Sequence, residues 1–127
     1  MSETVSLPPP DGPIDGLAVA DFATVAELEG WLEAYHATSP GVWVRLSRAR
    51  SGRVSITFHD LLALGLCFGW SESTRRAYDD TCYLQRFTPR RKVGTSSERN
   101  RHLVESLRAE GRIRPAGLAA LGLLGPR

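Results

Sequence analysis

Residues 57–70 read TFHDLLALGLCFGW, and the apolar residues Leu61, Leu62, Leu64, Leu66 and Phe68 are too dense for a helix with one face in water. Thr57 and Asp60 stand at the spacing of a capping pair, in which each side chain satisfies the other residue's free amide. The segment therefore predicts a buried helix at the centre of the fold. Gly65 and Gly69 allow backbone or ligand to approach it closely. Downstream, residues 71–78 are polar and basic, Asp79 to Thr81 signal a turn, and Cys82 to Thr88 alternate until Pro89 stops them. These segments predict a β-hairpin.

Upstream, Val42 to Ser47 alternate with the period of a strand, and Ser51 with Gly52 marks a solvated turn. Val54 to Ile56 are expected to return as a short pairing strand. Leu17 to Phe22 predict a first strand, and Thr24 with Glu27 opens a helix whose apolar face holds Val25, Leu28, Trp31, Leu32 and Tyr35. Towards the C-terminus, Thr95 and Glu98 have capping-box spacing for a helix running through Leu103, Val104 and Leu107 to Gly111. Pro115 suits the first position of a short last helix containing Leu118 and Leu121. Residues 1–15, with Pro8, Pro9, Pro10, Pro13 and Gly12, read as a disordered tail, and 16–127 as the domain. The expected fold is a small single α+β domain of three to four helices packed with short antiparallel strands.

At 127 residues, 42% hydrophobic and 24% charged, the chain is long enough to bury a core without disulfides or metal. No apolar run reaches the length of a membrane span, and the N-terminus has neither the basic nor the apolar region of a secretory signal, so a cytoplasmic location is expected. Cys67 and Cys82, with His36, His59 and His102, lack the paired spacing of a zinc site. The two thiols are expected reduced, with Cys67 in the core. Cys82 near arginines, with His102 as base, is a weak pattern for a nucleophile. No nucleophile elbow, P-loop or dinucleotide fingerprint occurs, and no cofactor is expected.

The net charge of +2 conceals an asymmetry. Residues 1–60 hold four arginines against eight acids, and residues 61–127 hold eleven arginines and Lys92 against six acids. The excess concentrates in residues 86–101, with six basic residues and Glu98 alone in opposition. A helix starting there would aim its free amides and positive dipole end at the same basic loop, which suits phosphate or carboxylate. The alternative is a solvated basic edge paired internally to Glu72, Asp79 or Asp80. Nucleic acid is not expected as a partner, because the patch is short and no recognised reading motif accompanies it.

Two stretches carry a family likeness: Cys67-Phe68-Gly69-Trp70, and Gln85 to Arg91 followed by Ser97 and Asn100, then Leu107 to Gly111 and Pro115 to Leu118. With Trp31, Leu32, Gly41, Val42 and Trp43, they resemble the YdeI/OmpD-associated family, also called bacteriocin-protection proteins. The likeness covers nearly everything after Phe22. The family pattern C-F-G-W-I-D-G is altered here at Ser71, Glu72 and Ser73, and a tryptophan common in the family is replaced by Ser96. Members also continue past the last helix with further charged and aromatic residues. The resemblance implies a bacterial stress-protection protein, linked to tolerance of bacteriocins and cationic antimicrobial peptides, with no established reaction.

The resulting expectation is a binding module with a groove between residues 70–76, the Cys82 to Thr88 strand and the start of the following helix. Arg76, Arg86, Arg90 and Arg91 supply its charge, and the last three would hold a small anion. Trp70 would form a flat wall, Glu72 and Asp80 would orient the arginines, and Asn100 would lock the loop. Phe68 and Trp43 are expected in the core. An acidic protein partner is an alternative to a small anionic ligand. The competing class is an enzyme on an anionic substrate with Glu72 or Asp80 as general base, although a flanking arginine lowers a carboxylate's pKa and makes it a poorer base.

Overall fold

The computed structural model describes residues 13–94 and 97–123. Along them run β1 (Ala18–Ala20), α1 (Val25–Tyr35), β2 (Val42–Ser47), α2 (Phe58–Phe68), β3 (Trp70–Ala77), β4 (Cys82–Pro89), α3 (Glu98–Ala109) and α4 (Pro115–Ala120). The strands form one sheet in the order β1-β2-β4-β3. The α+β class is as expected, and β3 and β4 make the predicted hairpin. The sheet, however, is mixed. β1 lies parallel to β2 because α1 carries the chain back along the sheet before β2 begins, whereas a tight turn would have reversed its direction.

α2 is the predicted buried helix, with every residue from Leu61 to Phe68 buried. Thr57 accepts from the Asp60 amide and the Asp60 carboxylate accepts from the Thr57 amide, both at 3.0 Å. In α1 the pairing is shifted by one residue: Thr24 accepts from the Glu27 amide, but the Glu27 carboxylate accepts from Ala23. α3 is capped by Ser97, which accepts from the Asn100 amide; Thr95, the expected cap, lies outside the described residues, as do Ser96, residues 1–12 and residues 124–127. Ile14 and Asp15, expected in the tail, already make tertiary contacts: the Trp43 indole donates to the Ile14 carbonyl, and Arg76 meets Asp15 at 3.5 Å.

Val54 to Ile56 do not form a strand. Their expected partner, β2, is paired with β4 along its whole length and with β1 at Val42–Val44, and beyond β1 its free edge meets the segment through the Ser55 side chain and not through a backbone ladder. The segment is held instead by side-chain bonds, with Ser55 Oγ accepting from the Ser47 amide and Arg53 paired with Asp21, while Ile56 donates its amide to the Phe22 carbonyl.

One face of the sheet packs on the helices, with Trp31, Trp70 and Phe87 forming a chain of aromatic contacts at centroid distances of 5.6 and 5.0 Å. The other face carries a smaller cluster of Leu17, Trp43 and Leu84. Two glycines let α4 lie directly on the end of α2. A Cβ on Gly117 would overlap the Cys67 carbonyl and come within 2.7 Å of the Leu66 oxygen, and one on Gly69, at φ +82°, would lie 2.8 Å from the Ala116 oxygen. Gly117→Ala is therefore expected to lower stability by about 3 kcal/mol in urea unfolding. Gly30→Ala, in α1 with nothing within 4 Å of its Cβ position, is expected to raise it by roughly 0.5–1 kcal/mol.

Candidate functional site

A cationic corner forms where β4 ends. Pro89 closes the strand, and the Arg90 amide donates to the Gly69 carbonyl at the end of α2, at 2.9 Å. The loop then rises to Gly94, at φ +87°, whose amide donates to the Ala120 carbonyl of α4. This path turns the Arg90 side chain inward, and Nη1 donates to the Gly94 carbonyl at 3.2 Å. Arg90 Nε is buried and has no hydrogen-bond partner among the described residues. Burial lowers the guanidinium's pKa, and the nearby Glu72 carboxylate opposes that shift. No acid stands within ion-pair distance of Arg90 among the described residues.

Asn100, in the first turn of α3, is 8% exposed, and its Oδ1 is likewise buried without a partner. Arg91 and Lys92 lie exposed on the loop. A guanidinium half withdrawn from water, with an unused donor, favours a bound oxyanion, because a desolvated charge without a counter-charge is costly.

The other residues expected in the groove do not join this corner. Trp70 is 1% exposed and packs between Trp31 and Phe87, its indole donating to the His36 carbonyl at 3.2 Å, so it offers no wall to a ligand. Arg86 precedes the buried Phe87, and strand alternation sends it to the opposite face, where its guanidinium lies 5.7 Å from the centre of the Trp43 ring. Arg76 approaches the same ring at 6.0 Å. Asp80 is exposed in the hairpin turn, the length of β4 away from Arg90, and cannot orient it. Trp43 and Phe68 are buried as expected. Of the expected set, the structure brings Glu72 within electrostatic reach of Arg90, with Arg91 beside it on the loop, buries Asn100 in the first turn of α3, and sends Trp70, Arg76, Asp80 and Arg86 elsewhere.

A family described as a domain of unknown function, DUF8412, matches residues 20–120. The chain belongs to this family. The matched stretch of the DUF8412 domain includes the whole sheet apart from the first residues of β1, all four helices and the cationic corner. No curated protein and no solved structure matches the chain.

Several residues of the DUF8412 domain do work that sequence reasoning missed. Gln85 is 1% exposed, and its Nε2 donates to the carbonyls of Ser73 and Thr74 at 3.1 and 3.2 Å. Those two residues sit in a β-bulge, since Glu72 faces Phe87 while Arg75 faces Gln85. The extra residue puts Arg75 on the helix side of the sheet, where its guanidinium lies 4.4 Å from the Tyr83 ring centre, and puts Arg76 on the other side with Trp43. A single polar residue in an alternating strand gives no sign of such a bulge. A separate, larger concavity of about 650 Å³ lies between β1 and α1, lined by Trp31, Tyr35 and Pro40. Its one charged lining residue, Asp21, is paired with Arg53 and Arg45.

Cys82 is free and fully buried, bonded at 3.4 Å to Arg45 Nε and to Asp79 Oδ1. His102 is exposed on α3 and faces Glu98 at 3.8 Å, so the two do not form a nucleophile and base. Cys67 is also free and buried, and burial pushes its thiol pKa up. Among the described residues no three His, Cys, Asp or Glu gather as metal ligands.

In the hairpin turn, the Asp79 carboxylate accepts from the turn's own Thr81 and Cys82 amides, a role different from the orienting of arginines expected of Asp80. Slight burial acts to raise the Asp79 carboxyl pKa, but hydrogen bonds from the Thr81 and Cys82 amides, the Cys82 thiol and the Thr81 hydroxyl outweigh it and hold the group at about 2, against an ordinary 3.8. A depressed pKa means stability present above pH 3.8 and lost as the pH falls through 2. The exposed carboxylate limits the effect to about 1 kcal/mol. Wild type is expected to exceed Asp79→Asn by up to that amount at pH 6, with the gap closing between pH 4 and pH 2 in denaturant titrations.

Proposed function

We propose that this DUF8412 protein is an anion-binding module whose ligand, a small carboxylate or phosphate, is held at the corner of Arg90. The observation that carries this reading is the Arg90 guanidinium itself, half-buried and with an unpartnered Nε. Elsewhere in the fold, arginines of comparable burial are neutralised internally, as Arg45 and Arg53 are by Asp21. Arg91 and Lys92 raise the potential at the mouth, and the Glu72 carboxylate acts on Arg90 through space without forming an ion pair.

The likeness to the YdeI/OmpD-associated family supports a role for this module in bacterial protection against bacteriocins or cationic peptides. Two free, buried cysteines suit the reducing cytoplasm. A general base receives little support, since Asp80 is exposed in a turn and Glu72 lies within electrostatic reach of Arg90.

Titration with inorganic phosphate, AMP and citrate, read through the Arg90 Nε–Hε and Gly94 amide resonances, tests the reading. Saturable shifts are expected with at least one of the three, and Arg90→Gln is expected to weaken that binding at least about tenfold. The same variant should melt, without ligand, at the wild-type temperature or above, because it removes a desolvated charge that has no carboxylate partner. No saturable shift, or wild-type affinity in folded Arg90→Gln, would overturn the reading.

A further inference from the structure

At the other end of the hairpin lies a concavity of about 280 Å³ lined by Arg48, Ala49, Arg75, Ala77 and Tyr83. Its volume is near the lower end of small-molecule sites, which run from roughly 300 Å³ upward. Among the described residues, the lining contains two guanidinium groups and a phenol but no carboxylate. Neither arginine is in an ion pair among the described residues. Each is nonetheless fixed in place by an interaction that leaves its charge available.

Arg75 is held by stacking. Its guanidinium lies 4.4 Å from the Tyr83 ring centre and 5.5 Å from that of Phe58, at the start of α2. Stacking engages the faces of the guanidinium and leaves its in-plane N–H donors free. Among the described residues Arg48 is held at one nitrogen only, Nε donating to the Asp79 main-chain carbonyl at 2.9 Å, and neither Nη group has a partner there. The acid nearest in sequence to this bond, Asp79, turns its carboxylate to the Thr81 and Cys82 amides instead. The Tyr83 hydroxyl has no hydrogen-bond partner among the described residues.

We propose that this concavity is a second binding site, specific for a phosphate group. Two guanidiniums match the double charge of a phosphate at neutral pH. Their planar donor edges, with the phenol hydroxyl, supply hydrogen bonds from several directions, as a tetrahedral oxyanion requires and a flat carboxylate does not. The small side chains of Ala49 and Ala77 leave room for the group between the arginines. The site depends on the bulge clamped by Gln85, because without the extra residue in β3 Arg75 would fall on the opposite face of the sheet. It is independent of the corner at Arg90, which shares none of its residues.

Inorganic phosphate titrated into the full chain, followed through the Arg75 Nε–Hε and Tyr83 resonances, tests the site directly. Saturable shifts are expected at both. Arg48→Gln and Arg75→Gln should each weaken binding at least about tenfold, and Tyr83→Phe less, whereas Arg90→Gln should leave these shifts unchanged. Tighter binding of AMP than of inorganic phosphate would extend the site to phosphomonoesters, and equal binding would confine recognition to the phosphate group. Arg48 is bonded only at the surface, so Arg48→Gln remains informative if Arg75→Gln fails to fold. Absence of saturable shifts at Arg75 and Tyr83 in wild type, or wild-type affinity in folded Arg48→Gln, would overturn the proposal.

Discussion

The C-terminal end of α2 is the point on which the rest of the structure depends. A buried helix leaves its last carbonyls without intrahelical partners. Here they are met by other segments of the chain: the Cys67 carbonyl accepts from the Arg114 amide and the Gly69 carbonyl from the Arg90 amide, each at 2.9 Å. Both donors must come close, and glycines make that possible, with Gly117 lying on the Cys67 carbonyl and Gly69 on Ala116. The same contacts fix where α4 begins and where β4 is released into its loop. Arg114, once there, reaches back to Glu29 and Glu33 of α1 at 2.8 and 2.7 Å and covers Phe68.

The cationic corner follows from this arrangement. Arg90 is turned inward because its own amide is bound to the end of α2, and its guanidinium is thereby drawn partly out of water. At the opposite end of the hairpin a different device sets the charges: the bulge held by Gln85 sends adjacent arginines, Arg75 and Arg76, to opposite faces of the sheet. Strand alternation does the same for Arg86 and Phe87. The basic second half of the chain is thus divided among an open sheet face, a corner and a concavity, so it does not form one groove.

Much of the fold was legible in the sequence. The density of leucines in residues 57–70 announced the buried helix, the Asp79 to Thr81 turn announced the hairpin, and Pro115 marked the start of α4. The misreadings have physical causes. Val54 to Ile56 have the composition of a strand, but at the edge of β2 that β1 leaves free the Ser47 amide is taken by the Ser55 side chain, so no backbone ladder forms. Trp70 is expected from the sequence to form the wall of a groove, yet its contacts come from Trp31 and Phe87, distant in sequence. Gln85 gave no local signal, because its function is to satisfy carbonyls on a neighbouring strand.

By itself, then, the sequence determined the elements, their caps and the region where positive charge accumulates, since these depend on local periodicity, hydrogen bonding within a few residues and composition. Only the tertiary structure decided which arginines act together, because that depends on strand register, on one extra residue in β3 and on which amides reach the end of α2. Side chains one position apart in a strand point in opposite directions. A run of basic residues therefore locates the charge along the chain, and the packing of the chain selects the surfaces on which it is available to a ligand.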